Sequence, residues 1–159
     1  MDFLEQQLIL TPQQHGFRKQ RSCETQLLEL INELAANLDR NGQTDVVVMD
    51  FAKAFDKVNH SLLVHKLHHY GIRNSTNSWI SSFLHGRSQA VVVEGSRSTN
   101  IPVKSGVPQG SVLGPCLFLI YINDLAARVS STTRLFADDT IVYRLIAAAS
   151  DHAALQSDL

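Results

Sequence analysis

Val46-Val47-Val48-Met49-Asp50-Phe51-Ala52-Lys53-Ala54-Phe55-Asp56 and Leu135-Phe136-Ala137-Asp138-Asp139-Thr140-Ile141-Val142-Tyr143 decide how this chain is read. Both are apolar runs rich in β-branched residues, the signature of buried strands, and each delivers a carboxylate at or near an end. Carboxylates gathered beside a core repel one another and lose hydration. They are tolerated there when a cation joins them, and a hard divalent metal is the usual candidate. The expectation is that the two turns converge to hold a pair of magnesium ions.

Working outward, 159 residues suffice for one core, and 44% hydrophobic with 18% charged residues is ordinary for a globular chain. The first ten residues carry Asp2 and Glu5 and no basic start, so they do not read as a signal peptide. The most apolar stretch, residues 112–122, is shorter than the roughly 20 residues a bilayer span needs, and no membrane role is expected. Cys23 and Cys116 fit no metal-ligand spacing and read as reduced intracellular thiols. A net charge of -1 does not announce a nucleic-acid binder, yet Arg18, Lys19 and Arg21 form a local cationic run without an acid. The alternative for that run is a solvated loop.

The rest of the chain alternates helix and strand signals. Phe3, Leu4, Leu8 and Ile9 form one face of a short helix stopped by Pro12. Ser22 sits at an N-cap position, and Leu27, Leu30, Ile31, Leu34 and Leu38 give residues 24–40 an apolar stripe to pack on the sheet. The first strand is expected over 45–51, a helix over 62–70 capped by Asn59 or His60, and another starting at Asn74 or Ser75 and running to Gly86. His60, His65, His68 and His69 have no cysteine nearby and no tetrahedral zinc spacing. Residues 89–93 and 99–103 flank Glu94-Gly95-Ser96-Arg97 as a hairpin that extends the sheet. Residues 105–115 hold three glycines and two prolines before a helix expected to reach Arg128, and residues 150–159 begin a last helix. Bare backbone there lets a planar ligand approach, with Gln109 supplying amide hydrogen bonds. An ordinary strand-to-helix connector is the plainer reading.

Gln14-His15-Gly16-Phe17-Arg18-Lys19, Asp50-Phe51-Ala52-Lys53-Ala54-Phe55-Asp56, Gly106-Val107-Pro108-Gln109-Gly110-Ser111-Val112-Leu113-Gly114-Pro115 and Phe136-Ala137-Asp138-Asp139 occur in that order. Together they resemble the reverse transcriptase domain of non-LTR, LINE-type retrotransposons, across essentially the whole chain. The resemblance implies an α+β fold in which an antiparallel, polymerase palm-like sheet carries both acidic turns and is backed by helices. Residues 1–44 would be partial fingers, and residues 45–159 palm with a hairpin insertion. Set against a complete enzyme of this kind, further finger and palm segments, a thumb and an endonuclease domain are expected to be missing, with truncation at both ends.

The implied activity is RNA-directed DNA polymerisation by two-metal nucleotidyl transfer. An RNA template, a DNA primer and dNTPs are the partners, in the cytoplasm or nucleus. Asp50 and Asp138 would be magnesium ligands, with Asp139 beside them and the Phe51 carbonyl a further donor. Phe55 would press on the sugar of the incoming nucleotide and exclude a 2′-hydroxyl, although a phenylalanine there also suits a core. Gln109 and Gly110 would contact the nascent base pair. Arg18, Lys19 and Arg21 would grip the triphosphate or the template backbone. Lys53 and Asp56 match the family pattern and equally suit a surface ion pair. An RNA-dependent RNA polymerase would want a polar group near position 55, and a group II intron enzyme is a nearer relative. The rival of another class is a non-catalytic retroelement remnant that binds RNA or is inert.

Overall fold

The computed structural model describes residues 1–159. In chain order the helices and strands are α1 (Asp2–Gln6), α2 (Cys23–Leu38), β1 (Gln43–Met49), α3 (His60–His69), α4 (Asn74–Leu84), β2 (Ser88–Gln89), β3 (Val92–Val93), β4 (Ser96–Arg97), β5 (Ile101–Pro102), α5 (Leu113–Ile122), β6 (Thr132–Phe136), β7 (Asp139–Ile146) and α6 (Ala149–Asp158). The fold is mixed helix and sheet, with small antiparallel sheets. The chain divides into two compact units, one of Met1–Ala52 with Ile122–Leu159 and one of Lys53–Tyr121.

The first unit is built on a three-stranded antiparallel sheet in the order β1-β7-β6. β1 pairs with β7 from Gln43↔Ile146 to Met49↔Thr140, and β6 pairs with β7 from Thr132↔Tyr143 to Phe136↔Asp139. The free edge of β6 is covered by residues 13–15, through a parallel bridge between Gln14 and Leu135. Leu135, Thr140 and Val142 are fully buried on one face, and Leu10 and Leu155 of the same unit are buried too. Helix α6 is capped from within: the Asp151 carboxylate accepts from the backbone N–H of Ala147 and Ala148, each at 3.0 Å. Those two bonds hold its pKa below the usual carboxylate range.

Helix α2 begins as its sequence predicts. Ser22 Oγ accepts from Thr25 N at 3.2 Å while Thr25 Oγ1 accepts from Ser22 N at 2.9 Å, a reciprocal cap. Its rotation is not the one its apolar stripe predicts. Gln26 and Leu30 are buried, whereas Leu27, Ile31 and Leu38 are more than half exposed. The reason is electrostatic. Glu29 receives the Arg134 guanidinium at 2.8 Å, and Glu33 is bound by both Arg134 and the Tyr143 hydroxyl. Residues 26, 29, 30 and 33 therefore face the sheet, about a third of a turn from the leucine stripe at ~100° per residue.

The second unit packs α3 and α4 with the apolar α5. Leu63, Leu67, Leu84, Leu117, Leu119 and Ile120 are at most 1% exposed and fill its core. Asn59 caps α3 by accepting from Leu62 N at 3.0 Å, whereas Arg73, rather than Asn74 or Ser75, precedes α4 and gives no side-chain cap. The hairpin does not extend the main sheet. β3–β4 and β2–β5 form separate two-stranded ladders. Glu94 and Gly95 both have positive φ, so they close a tight two-residue turn, and Ser96-Arg97 are strand rather than loop. With all strand residues of these ladders exposed, no buried face fixes their register to a larger sheet. Helix α5 stops at Ile122 instead of Arg128, because the Asn123 side chain leaves the helix. Its Nδ2 donates to Ile9 O at 2.7 Å and its Oδ1 accepts from Thr11 N at 2.8 Å. No helix is long and apolar enough to cross a membrane.

Candidate active site

In the first unit the sheet register brings the predicted carboxylates to one end. Asp50 follows Met49, the last residue of β1 paired to β7, and the next step of the same register lies opposite Asp139. Asp139 is itself paired with Phe136, so Ala137-Asp138 form the two-residue turn of the β6–β7 hairpin. Residues opposite one another in a ladder share a face. Asp50 and Asp139 thus continue the face on which Arg134 and Tyr143 meet α2, and the turn carries Asp138 next to them. Asp50 and Asp139 are exposed and Asp138 is half-buried, and no arginine or lysine pairs with any of the three.

These oxygens are the hard donors that a divalent cation prefers, left without a competing protein cation. No three His, Cys, Asp or Glu side chains converge on a ready-made metal position. Magnesium, where a protein binds it, is commonly held by one or two carboxylates completed by water and phosphate oxygens, without a closed protein cage. The donor set fits the ion; the protein does not pre-form its cage.

The acidic turn is held from behind by residues to which the sequence reading gave no role. Gln14 is 1% exposed, and its side chain binds both backbone groups of Ala137. Oε1 accepts from Ala137 N at 2.8 Å and Nε2 donates to Ala137 O at 3.1 Å. The same Oε1 accepts from Gly16 N at 2.8 Å. Ala137 has φ 56°, a left-handed conformation disfavoured for a residue with a Cβ, and the Gln14 clamp offsets that cost. Gly16 lies so close that a Cβ there would sit 2.3 Å from Ala137 N. His15 N–H completes the seam by donating to Leu135 O at 2.8 Å. Burial, followed by the nearby Arg21 charge, holds the His15 imidazole below its usual basicity. The signal was in the sequence: a single Gln-x-Gly inside a loop without periodicity, within the first of the four ordered motifs.

Behind the same face, burial and the Glu33 contact push the Tyr143 hydroxyl up to about 12, so it stays a neutral donor at ordinary pH. Arg18, Lys19 and Arg21 turn back on their own segment. Arg18 is paired with Glu5 and donates to Thr11 O at 2.8 Å, its side chain only 9% exposed. Lys19 meets Asp2 at 2.7 Å, and Arg21 donates to Pro12 O. Phe51 is exposed in the loop after β1.

The remaining predicted residues belong to the second unit. Phe55 is half-buried and stacks on Phe118, with centroids 4.1 Å apart and planes 17° from parallel. Residues 55–58 are laced to the glycine-rich loop. Val107 N donates to Phe55 O at 3.0 Å, Gly106 N to Val58 O at 2.8 Å, and Ser105 Oγ to Asp56 O at 2.8 Å. Gly106 has φ 90°, and a Cβ there would lie 2.8 Å from Asp56 O, so glycine is required twice over. The buried His60 reaches the Gly106 carbonyl through Nε2 at 2.7 Å. Gln109, exposed like its neighbour Gly110, donates to Asp56 Oδ1 at 3.1 Å. Asp56 is therefore the partner of Gln109 and not of Lys53.

The sequence matches the family described as Reverse transcriptase (RNA-dependent DNA polymerase) over residues 2–156. The chain belongs to the reverse transcriptase family. Among its relatives, the RNA-directed DNA polymerase from mobile element jockey of Drosophila melanogaster is 31% identical over 137 residues, 81% of this chain and 15% of that protein. The probable RNA-directed DNA polymerase from transposon X-element of the same species is 31% identical over 153 residues, 89% of this chain and 16% of its own length. The retrovirus-related Pol polyprotein from type-1 retrotransposable element R2 of Popillia japonica is 30% identical over 130 residues, 81% of this chain and 18% of that protein. This reverse transcriptase chain thus spans less than a fifth of the length of these relatives.

Proposed function

We propose that the chain carries the carboxylate-bearing and nucleotide-facing residues of an RNA-directed DNA polymerase of the retrotransposon kind. It would extend a DNA primer with dNTPs on an RNA template inside the cell. The observation that supports this most is the register that sets Asp50 one step beyond Met49↔Thr140, opposite Asp139, with Asp138 in the adjoining turn. The β1-β7-β6 sheet is then the palm of such an enzyme. Asp50 and Asp138 would hold two magnesium ions, with Asp139 alongside and the Phe51 carbonyl a further oxygen donor. Bound magnesium supplies Lewis acidity for the primer 3′-hydroxyl and the departing pyrophosphate.

The other roles belong to this chain's own groups. Gln109, steadied by Asp56, would present its free amide oxygen to the nascent base pair, next to the bare backbone of Gly110. Of the three N-terminal cations, Arg18 is committed to Glu5, so Lys19 and Arg21, whose contacts are a surface ion pair and a carbonyl, exchange more readily for phosphate. Primer extension on an RNA template with magnesium and dNTPs tests the reading. Extension that depends on magnesium and on the RNA strand is the expected result. If the chain, and the same chain extended by its flanking coding sequence, both fail to extend, the non-catalytic remnant takes its place.

Phe55 would wall off the 2′ position of the incoming sugar, its ring fixed by the stack on Phe118. Phe55→Ala is expected to lower the preference for dNTP over rNTP, measured as a ratio of kcat/KM values, by roughly tenfold or more. That ratio is insensitive to how much of the variant is folded. An unchanged ratio removes the gate role.

A further inference from the structure

Of His60, His65, His68 and His69, only His60 is buried, and none of the roles assigned so far uses it. It opens α3 directly after the Asn59 cap, so its backbone is fixed at a helix start. Its Nε2 lies 2.7 Å from Gly106 O. A carbonyl oxygen only accepts, so Nε2 carries the proton and donates it. The His85 ring meets the imidazole edge-on, with centroids 5.1 Å apart. A satisfied core histidine is the plain reading of such a bond. What sets this one apart is the peptide that it grips.

The peptide unit between Gly106 and Val107 is a single rigid plane. His60 holds its carbonyl, and the N–H on its other side, Val107 N, donates to Phe55 O at 3.0 Å. One plane therefore joins His60 to the backbone of Phe55. Gly106 N donates to Val58 O at 2.8 Å, and Val58, Gly106 and Val107 are all buried along with His60. Beyond Val107 the loop is tied again. Pro108 O accepts from Ser111 Oγ at 2.6 Å, and Ser111 Oγ accepts from Gly114 N at 3.0 Å at the start of α5. Gln109 and Gly110 are the exposed residues between these two anchors, so the direction in which Gln109 projects depends on both. Without the imidazole, the buried Gly106 carbonyl loses its partner, which a buried polar group tolerates poorly. Rotation of the peptide plane relieves it, and glycine at 106 permits that rotation. The same rotation swings Val107 N away from Phe55 O.

We propose that His60 is a positioning residue for nucleotide selection, setting Phe55 and the Gln109 loop in register through its hydrogen bond to the Gly106 carbonyl. The inference rests on the polymerase reading for what Phe55 and Gln109 do. Its own ground is the shared peptide plane. His60, Phe55, Gly106 and Gln109 all lie in the unit Lys53–Tyr121, whereas Asp50, Asp138 and Asp139 lie in the other. Loss of the bond should therefore weaken discrimination of the incoming nucleotide and leave the chemical step largely alone.

The test is steady-state primer extension on an RNA template by the full chain, with dNTPs and with rNTPs. It compares the unsubstituted protein with His60→Phe, which keeps a ring and loses the donor, and His60→Gln, which loses the ring and keeps an N–H of similar reach. If the phenyl ring prevents folding, His60→Ala takes its place. Leu67→Ala, a core truncation two turns along the same helix, shows what lost stability does by itself. For His60→Phe the KM for dNTP should rise, and the dNTP-over-rNTP ratio of kcat/KM should fall, each by roughly two- to tenfold, the span that one hydrogen bond sustains. The value of kcat should stay within about twofold, because the carboxylates are untouched. His60→Gln should recover most of the ratio, and Leu67→Ala should not move it. Amide hydrogen exchange at Val107, read by NMR without substrate, should quicken in His60→Phe. An unchanged ratio in His60→Phe overturns the proposal, as does His60→Gln as impaired as His60→Phe. So does an equal loss in Leu67→Ala, or a lost ratio with Val107 still protected. A chain that extends primers with an unaltered ratio keeps the enzyme and loses only the role of His60. One that never extends, alone or with its flanking coding sequence, loses both.

Discussion

Asp50→Asn is expected to slow RNA-templated primer extension by on the order of a hundredfold or more, since losing about 3 kcal/mol of transition-state stabilisation corresponds to that factor. Asparagine keeps the size of the side chain and one oxygen but removes the negative charge that a hard cation requires. The fold should hardly notice. Asp50 is exposed, lies just past the last β1–β7 pair and bonds to no cation, so its replacement should leave stability within about 0.5 kcal/mol. The measurement is single-turnover extension at saturating dNTP, with thermal melting in parallel. A rate loss with an unmoved melting temperature separates chemistry from folding. Near-normal extension by Asp50→Asn would mean that the acidic end of the sheet is not where nucleotide is transferred, whatever the family likeness implies.

Why these carboxylates could be read from the sequence while much around them could not has a physical explanation. A strand pattern is local: Val46-Val47-Val48-Met49 and Thr140-Ile141-Val142-Tyr143 announce themselves through β-branched residues, and the acidic residue at each end is conspicuous for its cost. Helix caps are local too, and Ser22 and Asn59 sit where their spacing puts them. The rotation of α2 is not local. Its leucine stripe predicts one face, but Arg134 and Tyr143, more than a hundred residues away, select another by offering partners to Glu29 and Glu33. A charged pair of that kind has no periodic signature. The hairpin after α4 fails for a related cause: its strand residues are all exposed, so nothing in their pattern says which sheet they join.

The N-terminal motif is the most instructive case. Its cations attract the eye because charge suggests phosphate, yet Arg18 spends its guanidinium on Glu5 and the Thr11 carbonyl. The residues that reach the acidic turn are the uncharged Gln14 and Gly16, whose contribution lies in backbone hydrogen bonds that no composition or hydropathy argument can see. Sequence reading ranks residues by the chemistry of their side chains. The structure ranks them by what they hold in place.

Gln14→Ala should accordingly damage both stability and rate. It strips the partner from Ala137 N, Ala137 O and Gly16 N, where Gln14, Gly16 and Ala137 are all buried. An unsatisfied buried polar group costs roughly 1–3 kcal/mol, and water entering the space left by the side chain recovers part of that, so a net loss of about 3 kcal/mol is expected. For a chain of this size that lowers the melting temperature by roughly 6–12 °C. The turn itself loses the clamp that offsets its left-handed alanine, and a displacement of about 1 Å at reacting groups is worth roughly a hundredfold in rate. Gly16→Ala reaches the same turn by the opposite means, pressing a Cβ into Ala137 N instead of withdrawing a hydrogen bond. The two substitutions should therefore share a signature: slower extension in the fraction that remains folded. If Gln14→Ala melts and extends like the unsubstituted chain, the acidic turn holds its shape without the clamp, and the role assigned here to the N-terminal motif is wrong.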